Sequence, residues 1–173
     1  MNTVGVILLN WNGSQDTLTC LQSLCAAVPA PDTIIICDNA STDGSRKKII
    51  EHLSTHYGYI FVQEGHRVSK ASNINPEVVF IQHSSNLGFA AGNNPGITYA
   101  LDMGCAYIWL LNNDTTIHPE ALGQLLACDQ SSHQTRIWGS TVLSAHNPDQ
   151  IQCAGGCFYN PLTTVFRPYL EGM

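Results

Sequence analysis

Basic charge is scarce in this 173-residue chain: Lys plus Arg number 7 against 13 Asp plus Glu, for a net charge of −6. That balance excludes a nucleic-acid-binding surface, which grips phosphates with clustered Lys and Arg. Charge of either sign is thin, at 12%, while 44% of residues are hydrophobic. A chain of this length and apolarity builds one globular core and is not disordered. No apolar run approaches the roughly 20 residues that span a bilayer. The opening "MNTVGVILLNWNG" lacks a basic flank and a small-residue cleavage site, so it reads as a first strand and not as a leader. Also absent are the dinucleotide G-x-G-x-x-G, the P-loop G-x4-G-K-[ST] and the G-x-S-x-G nucleophile elbow. The seven cysteines, at 20, 25, 37, 105, 128, 153 and 157, follow no disulfide framework. They read as free thiols, most of them buried, in a reducing cytoplasm. Cys153 and Cys157 are poorly spaced for a zinc site. The histidines, at 52, 56, 66, 83, 118, 133 and 146, are scattered without ligand spacing.

What is present alternates. Residues 4–9, 33–37, 78–82 and 106–111 are short apolar runs, as expected of strands buried on both faces. A helix capped by Ser14 follows the first, with Leu18, Leu21, Leu24 and Val28 on one stripe. A second starts near Asp43 or Ser45, turning Ile49, Ile50 and Leu53 inward and Arg46, Lys47 and Lys48 to solvent. A third is capped by Asn94, has Pro95 at its first position and ends at Gly104. A fourth starts at Pro119 and carries Leu122, Leu125 and Leu126. Residues 65–76 read as a surface loop, and residues 137–143 as a fifth strand. Strand alternating with helix predicts an α/β fold, a mainly parallel central sheet with helices on both faces.

In such sheets ligands gather at the carboxyl ends of strands. The polar segments "LNWNG", "CDNASTDGS" and "LNNDTT" each sit at one. Asp38 could accept hydrogen bonds from a nucleoside, or could build a turn with Ser41 and Asp43. "NLGFAAGNN" sets Gly88 and Gly92 around an aromatic ahead of a helix, where backbone can approach an anion closely. Asp114 can supply one oxygen ligand to a hard divalent cation, with Asn112 giving an amide oxygen or orienting the site. Alternatively, Asp114 caps the turn before the next helix.

Taken together, "VGVILLNWNGSQDTLTCLQSL", "IIICDNASTDGS", "NLGFAAGNNPGI" and "WLLNNDT" resemble, in order and spacing, the inverting family-two glycosyltransferases of the GT-A fold, closest to their rhamnosyltransferase-like branch. The resemblance covers residues 3–143 and extends loosely to 158. It implies a three-layer, Rossmann-like nucleotide-sugar-binding domain over residues 1–143 and the start of an acceptor-binding region over 144–173. Asn10 and Trp11 would line the base pocket, and Asp38 would contact the base or ribose. Asn86, Gly88 and Asn93 would shape the nucleotide pocket. Asn112, Asn113 and Asp114 stand at the family's D-x-D position, with Asn for the first Asp. Asp114 would then be the main protein ligand to a Mg2+ or Mn2+ ion bridging the diphosphate. The implied partners are a UDP-, dTDP- or GDP-linked sugar and a glycan or lipid-linked acceptor. The implied setting is polysaccharide biosynthesis in the cytoplasm, at the inner face of a membrane.

An inverting transfer also needs a general base, which the family places in an "ED"-like motif beyond the metal motif. "AGGCFYNPLTTVFRPYLEGM" holds only Glu171. The expectation is therefore a chain that looks cut off before the catalytic-base motif, within the acceptor part, and that binds donor and transfers sugar poorly or not at all. Apolar residues near its end, Phe158, Tyr159, Val165 and Phe166, suggest self-association. The competing readings are a non-catalytic nucleotide- or partner-binding module and a Rossmann-type oxidoreductase.

Overall fold

The computed structural model describes residues 3–63, 66–67, 76–129, 137–154 and 157–168. The chain divides into two compact units, Met1–Gly123 and Gln124–Met173. The first is built on a six-stranded sheet: β1 (Val4–Asn10), β2 (Thr33–Asp38), β3 (Ile60–Gln63), β4 (His66–Arg67), β5 (Glu77–Gln82) and β6 (Tyr107–Asn112). Their spatial order is β4-β3-β5-β2-β1-β6. All pairs are parallel except β3 with β4. Helices α1 (Ser14–Cys25), α2 (Ser45–His56) and α3 (Gly88–Asp102) connect the strands, and α4 (Ala121–Asp129) follows β6.

The three central strands are the apolar, β-branched runs "VGVILL", "TIIIC" and "VVFI", and nearly all their residues are buried. Side chains alternate across a strand with period two, so each strand feeds two layers. Ile7, Ile35 and Cys37 face α3, where they lie within 3.5 Å of a Cβ built on Gly96. Ile7, Ile35, Cys37, Val79, Ile81 and Ala100 form one core cluster on that side. Asn10 faces α1 on the other side, accepting a hydrogen bond from Thr17 Oγ1 at 2.8 Å. The expected three-layer α/β architecture is present.

Several local expectations change. Helix α3 begins at Gly88, six residues before Asn94, and encloses Pro95. Proline and glycine both disfavour a helix interior, but tertiary packing overrides that here. A Cβ on Gly92 would sit 2.8 Å from Leu9 Cδ1, and one on Gly96 would sit 2.9 Å from Cys37 Sγ and Ile7 Cγ2. The glycines let α3 lie against the sheet. Its end agrees with the sequence reading: Gly104 adopts φ +76°, and the Gly104 and Cys105 N–H groups donate to the Leu101 and Ala100 carbonyls, a Schellman closure.

Ser14 is the first residue of α1 and not its cap; its N–H donates to Ser45 Oγ at 3.2 Å. The buried stripe is Ser14, Thr17, Cys20, Leu21 and Leu24, while Val28 lies past the helix end and is exposed. The short strands β3 and β4 arise where no strand was expected; of the expected loop at 65–76, only 66–67 and 76 are described. Among the described residues strand β6 is an edge of the six-stranded sheet; it is only partly buried, and Leu110 is exposed. In the second unit, only Thr141–Leu143 of the expected fifth strand is extended (β7). It pairs antiparallel with β8 (Ile151–Ala154) in a two-stranded sheet, and β9 (Cys157–Asn160) pairs with β10 (Val165–Pro168) in another.

Candidate functional site

The carboxyl ends of β1, β2 and β6 lie side by side. Asn10 stands opposite Asp38, and Leu9 stands between Cys37 and Asn112. Residues in register on adjacent strands share a face, so two groups of side chains emerge on opposite sides.

On the α1 side, Asn10 and Asp38 are fully buried. Asp38 Oδ1 accepts from Asn10 Nδ2 at 2.6 Å and from Ser41 Oγ at 2.7 Å. Its Oδ2 accepts from the Ser41 N–H at 3.1 Å and from Gln82 Nε2 at 3.0 Å. Asn10 Nδ2 also donates to Ser41 Oγ at 3.0 Å. This polar knot ties the ends of β1, β2 and β5 to the turn before α2. A buried carboxylate is tolerable because its acceptor positions are filled.

On the other side is a cleft of about 440 Å³, lined by Leu9, Trp11, Asn39, Asn86, Gly88, Phe89, Asn112, Asn113 and Asp114. Trp11 is 57% exposed and Phe89 is 62% exposed, so both rings meet solvent. Asn39 is buried and works as a clamp. Its Nδ2 donates to Asn86 Oδ1 at 2.9 Å and to the Gly88 carbonyl at 3.2 Å, while its Oδ1 accepts from the Leu87 N–H at 2.9 Å. Gly88 takes φ +74°, a conformation glycine adopts without strain.

At the β6 end, Asn113 Nδ2 donates to Thr17 Oγ1 at 3.0 Å, and the Thr115 N–H donates to the Asn112 carbonyl at 3.2 Å. The turn is thereby pinned to α1. Asp114 is exposed, and its carboxylate has no hydrogen bond or ion pair among the described residues. Behind it, Cys20 is buried, with its thiol 3.8 Å from the Asn112 carbonyl. Burial, and then the Asp114 carboxylate, push that thiol up to about 12.

Of the expected site residues, the cleft collects Trp11, Asn86, Gly88, Asn112, Asn113 and Asp114. Asn10 and Asp38 lie behind it in the knot, and Asn93 is buried in α3, its Nδ2 donating to the Phe89 carbonyl at 2.8 Å. Leu9, Asn39 and Phe89 were missed. Counting by twos from Trp11, and stepping one residue on from Asp38, finds the first two; Phe89 is the aromatic between the glycines. His118 is exposed, and its Nδ1 accepts from the Glu120 N–H at 3.3 Å.

No group of three His, Cys, Asp or Glu side chains among the described residues could hold a metal. The donor set is one free carboxylate with two neighbouring amides. That set does not suit a resident structural ion. It fits a Mg2+-type cation, which often takes one or two carboxylates and fills its other positions with phosphate and water.

The family model described as "Glycosyl transferase family 2" matches residues 5–142. No curated protein matches at a significant level. Two solved structures are similar in fold. The Staphylococcus aureus protein TarS (residues 1–349) is 18% identical with a TM-score of 0.52, covering 72% of this chain and 31% of that one. The mannosyltransferase PcManGT from Pyrobaculum calidifontis, in complex with GDP-Man and Mn2+, is 15% identical with a TM-score of 0.53, covering 71% of this chain and 31% of that one. The chain therefore spans about a third of the length of these two structures.

Proposed function

This chain belongs to glycosyl transferase family 2, and on that footing we propose that its cleft takes the nucleoside diphosphate of a sugar donor, with Asp114 as protein ligand to an accompanying Mg2+ or Mn2+. The observation that carries the reading is the character of the cleft wall. Among the described residues it joins solvent-facing aromatic surface to one unpartnered carboxylate and has no basic lining residue. An aromatic face suits a nucleobase. A diphosphate beside Asp114 would be repelled unless a cation came with it. Such a cation, when bound, offsets charge on the departing diphosphate. The similar mannosyltransferase structure contains GDP-Man and Mn2+, which favours the same ligand class here.

In this proposal Asn112 and Asn113 orient the phosphates without adding charge, and Trp11, Asn86 and Gly88 bound the nucleoside. Asn10, Asp38 and Asn93 act from behind, by fixing the strand ends and the first turn of α3. Residues 1–143 form the donor-binding part and 144–173 belong to an acceptor-binding region. The transfer proposed is inverting, from a UDP-, dTDP- or GDP-sugar to a glycan or lipid-linked acceptor. The rhamnosyl donor and the membrane-face setting rest on the sequence resemblance alone. Among the described residues Asp114 is the single carboxylate lining the cleft, so they offer no candidate base there, and donor binding should be much stronger than transfer. That same observation favours the second reading, a binding module without turnover.

The test is thermal unfolding of the full chain with UDP-, dTDP- and GDP-sugars, with and without Mn2+, for the wild type and Asp114→Ala. A ligand at 100 times its Kd adds about 2.7 kcal/mol. The expected result is a metal-dependent rise with one nucleotide that Asp114→Ala loses, the variant's own melting temperature being unchanged. A rise that persists in Asp114→Ala refutes the metal-ligand role. No rise with any nucleotide refutes donor binding.

A further inference from the structure

Resting on the donor reading, we propose that Phe89 is a nucleobase-recognition residue, its ring forming a second aromatic wall of the cleft that also contains Trp11. Two independent features carry this. The first is the ring's position: it lines the cleft and is 62% exposed, so it contributes little to the core.

The second is the bracing of the backbone that presents it. Gly88 takes φ +74° and turns the chain into α3. The Gly88 carbonyl accepts from Asn39 Nδ2 at 3.2 Å, and the Gly88 N–H donates to Asn86 Oδ1 at 2.8 Å. The Leu87 N–H donates to Asn39 Oδ1 at 2.9 Å, and the Phe89 carbonyl accepts from Asn93 Nδ2 at 2.8 Å. Three asparagine side chains thus order the four residues 86–89. Ordering a loop costs conformational entropy, and here it holds an apolar ring in water. A rigid aromatic held ready for a flat ligand accounts for both, because stacking on a fixed ring avoids the ordering cost at the moment of binding. The need for such a platform also explains why the clamp residue Asn39 is buried while the ring beyond it is not.

The experiment is calorimetric titration of the full chain with UDP, dTDP and GDP in Mn2+, and with Mn2+-pyrophosphate as a probe without a base. The variants are Phe89→Ala and Phe89→Tyr, each checked for an unchanged urea midpoint. Phe89→Ala should weaken the preferred nucleotide about tenfold, the scale of one base–aromatic stack. It should leave pyrophosphate binding unchanged, and Phe89→Tyr should keep wild-type affinity. Equal nucleotide affinity of wild type and Phe89→Ala overturns this inference and leaves the donor reading standing. An equal loss for nucleotide and pyrophosphate also overturns it, since the ring would then be supporting the turn. A wild type that binds no nucleotide overturns the donor reading and this inference with it.

Discussion

Replacing Asp38 with Ala or Asn separates a structural carboxylate from a ligand-binding one. Asp38 is fully buried and accepts four hydrogen bonds, from Asn10 Nδ2, Ser41 Oγ, the Ser41 N–H and Gln82 Nε2. Hydrogen bonds to a charged group are each worth about 1.5–3 kcal/mol, so a simple sum would suggest a large loss. The geometry argues for less. In Asp38→Ala, Asn10 Nδ2 still has Ser41 Oγ, and Gln82 Nε2 still has the His83 carbonyl at 2.9 Å. The Ser41 N–H and the Ser41 hydroxyl are left without this acceptor. Two stranded donors on part-buried Ser41, a small cavity and weakened neighbours come to about 2–4 kcal/mol. For a chain of this size that lowers the melting temperature by about 4–16 °C. Asp38→Asn should cost less than Ala. The Gln82 side-chain oxygen is buried without a partner and can rotate to accept from the new amide. Thermal unfolding followed by circular dichroism measures both. The order Ala worse than Asn worse than wild type, with nucleotide affinity falling only in step with stability, is expected. A variant that melts like the wild type yet loses nucleotide binding would refute the structural assignment and return Asp38 to the ligand.

Gly96→Val places a Cβ 2.9 Å from Cys37 Sγ and Ile7 Cγ2, both on fully buried residues. Overpacking there should cost about 2–3 kcal/mol, read as a lower urea midpoint; an unchanged midpoint would show that α3 does not press on the sheet. Alkaline stability should fall. Burial pushes the Cys20 and Cys37 thiols from an ordinary 9.0 up to about 12. Unfolded thiols ionise above pH 9 while the folded ones stay neutral, so the contribution is full below pH 9 and is lost as pH rises toward 12. Urea midpoints across that range should decline less steeply in Cys37→Ala, and an identical slope would refute the assignment. For the same reason a thiol reagent at pH 8 should modify exposed Cys128 in the native chain and spare Cys20 and Cys37.

Where the chain's chemistry is local, the sequence shows it. The apolar runs of β1, β2 and β5 needed no tertiary information, because a strand buried on both faces can only be a continuous apolar run. The end of α3 was equally visible, since Gly104 meets a local backbone requirement. Its beginning was not. "GFAAGNNPG" carries every local mark of a loop, and it is helical because Gly92 and Gly96 allow a close approach to Leu9, Ile7 and Cys37, residues 59 to 89 positions away. The half-exposure of β6 was hidden for a related reason. An apolar run states what a strand could bury and not how many neighbours it has.

The site follows the same division. Strand ends could be located from sequence, and the predicted site residues lie at or just past one or in α3, except Asn86, which sits in the turn between β5 and α3. Which of them face the cleft depends on alternation, and that requires knowing the face on which each helix packs. Leu9 and Trp11 face one way and Asn10 the other; Asn39 lines the cleft while Asp38 is sealed in the knot. At the ends of β1 and β2 the most polar residue is therefore the one sealed away from the cleft. This inversion has a physical logic. A carboxylate or amide at the inner position can saturate itself on neighbouring donors and hold three strand ends at fixed spacing, while the outer position is left to groups whose partners arrive with a ligand. Asp114 is the exception that defines the site: it is the acidic group at these strand ends that has no partner among the described residues.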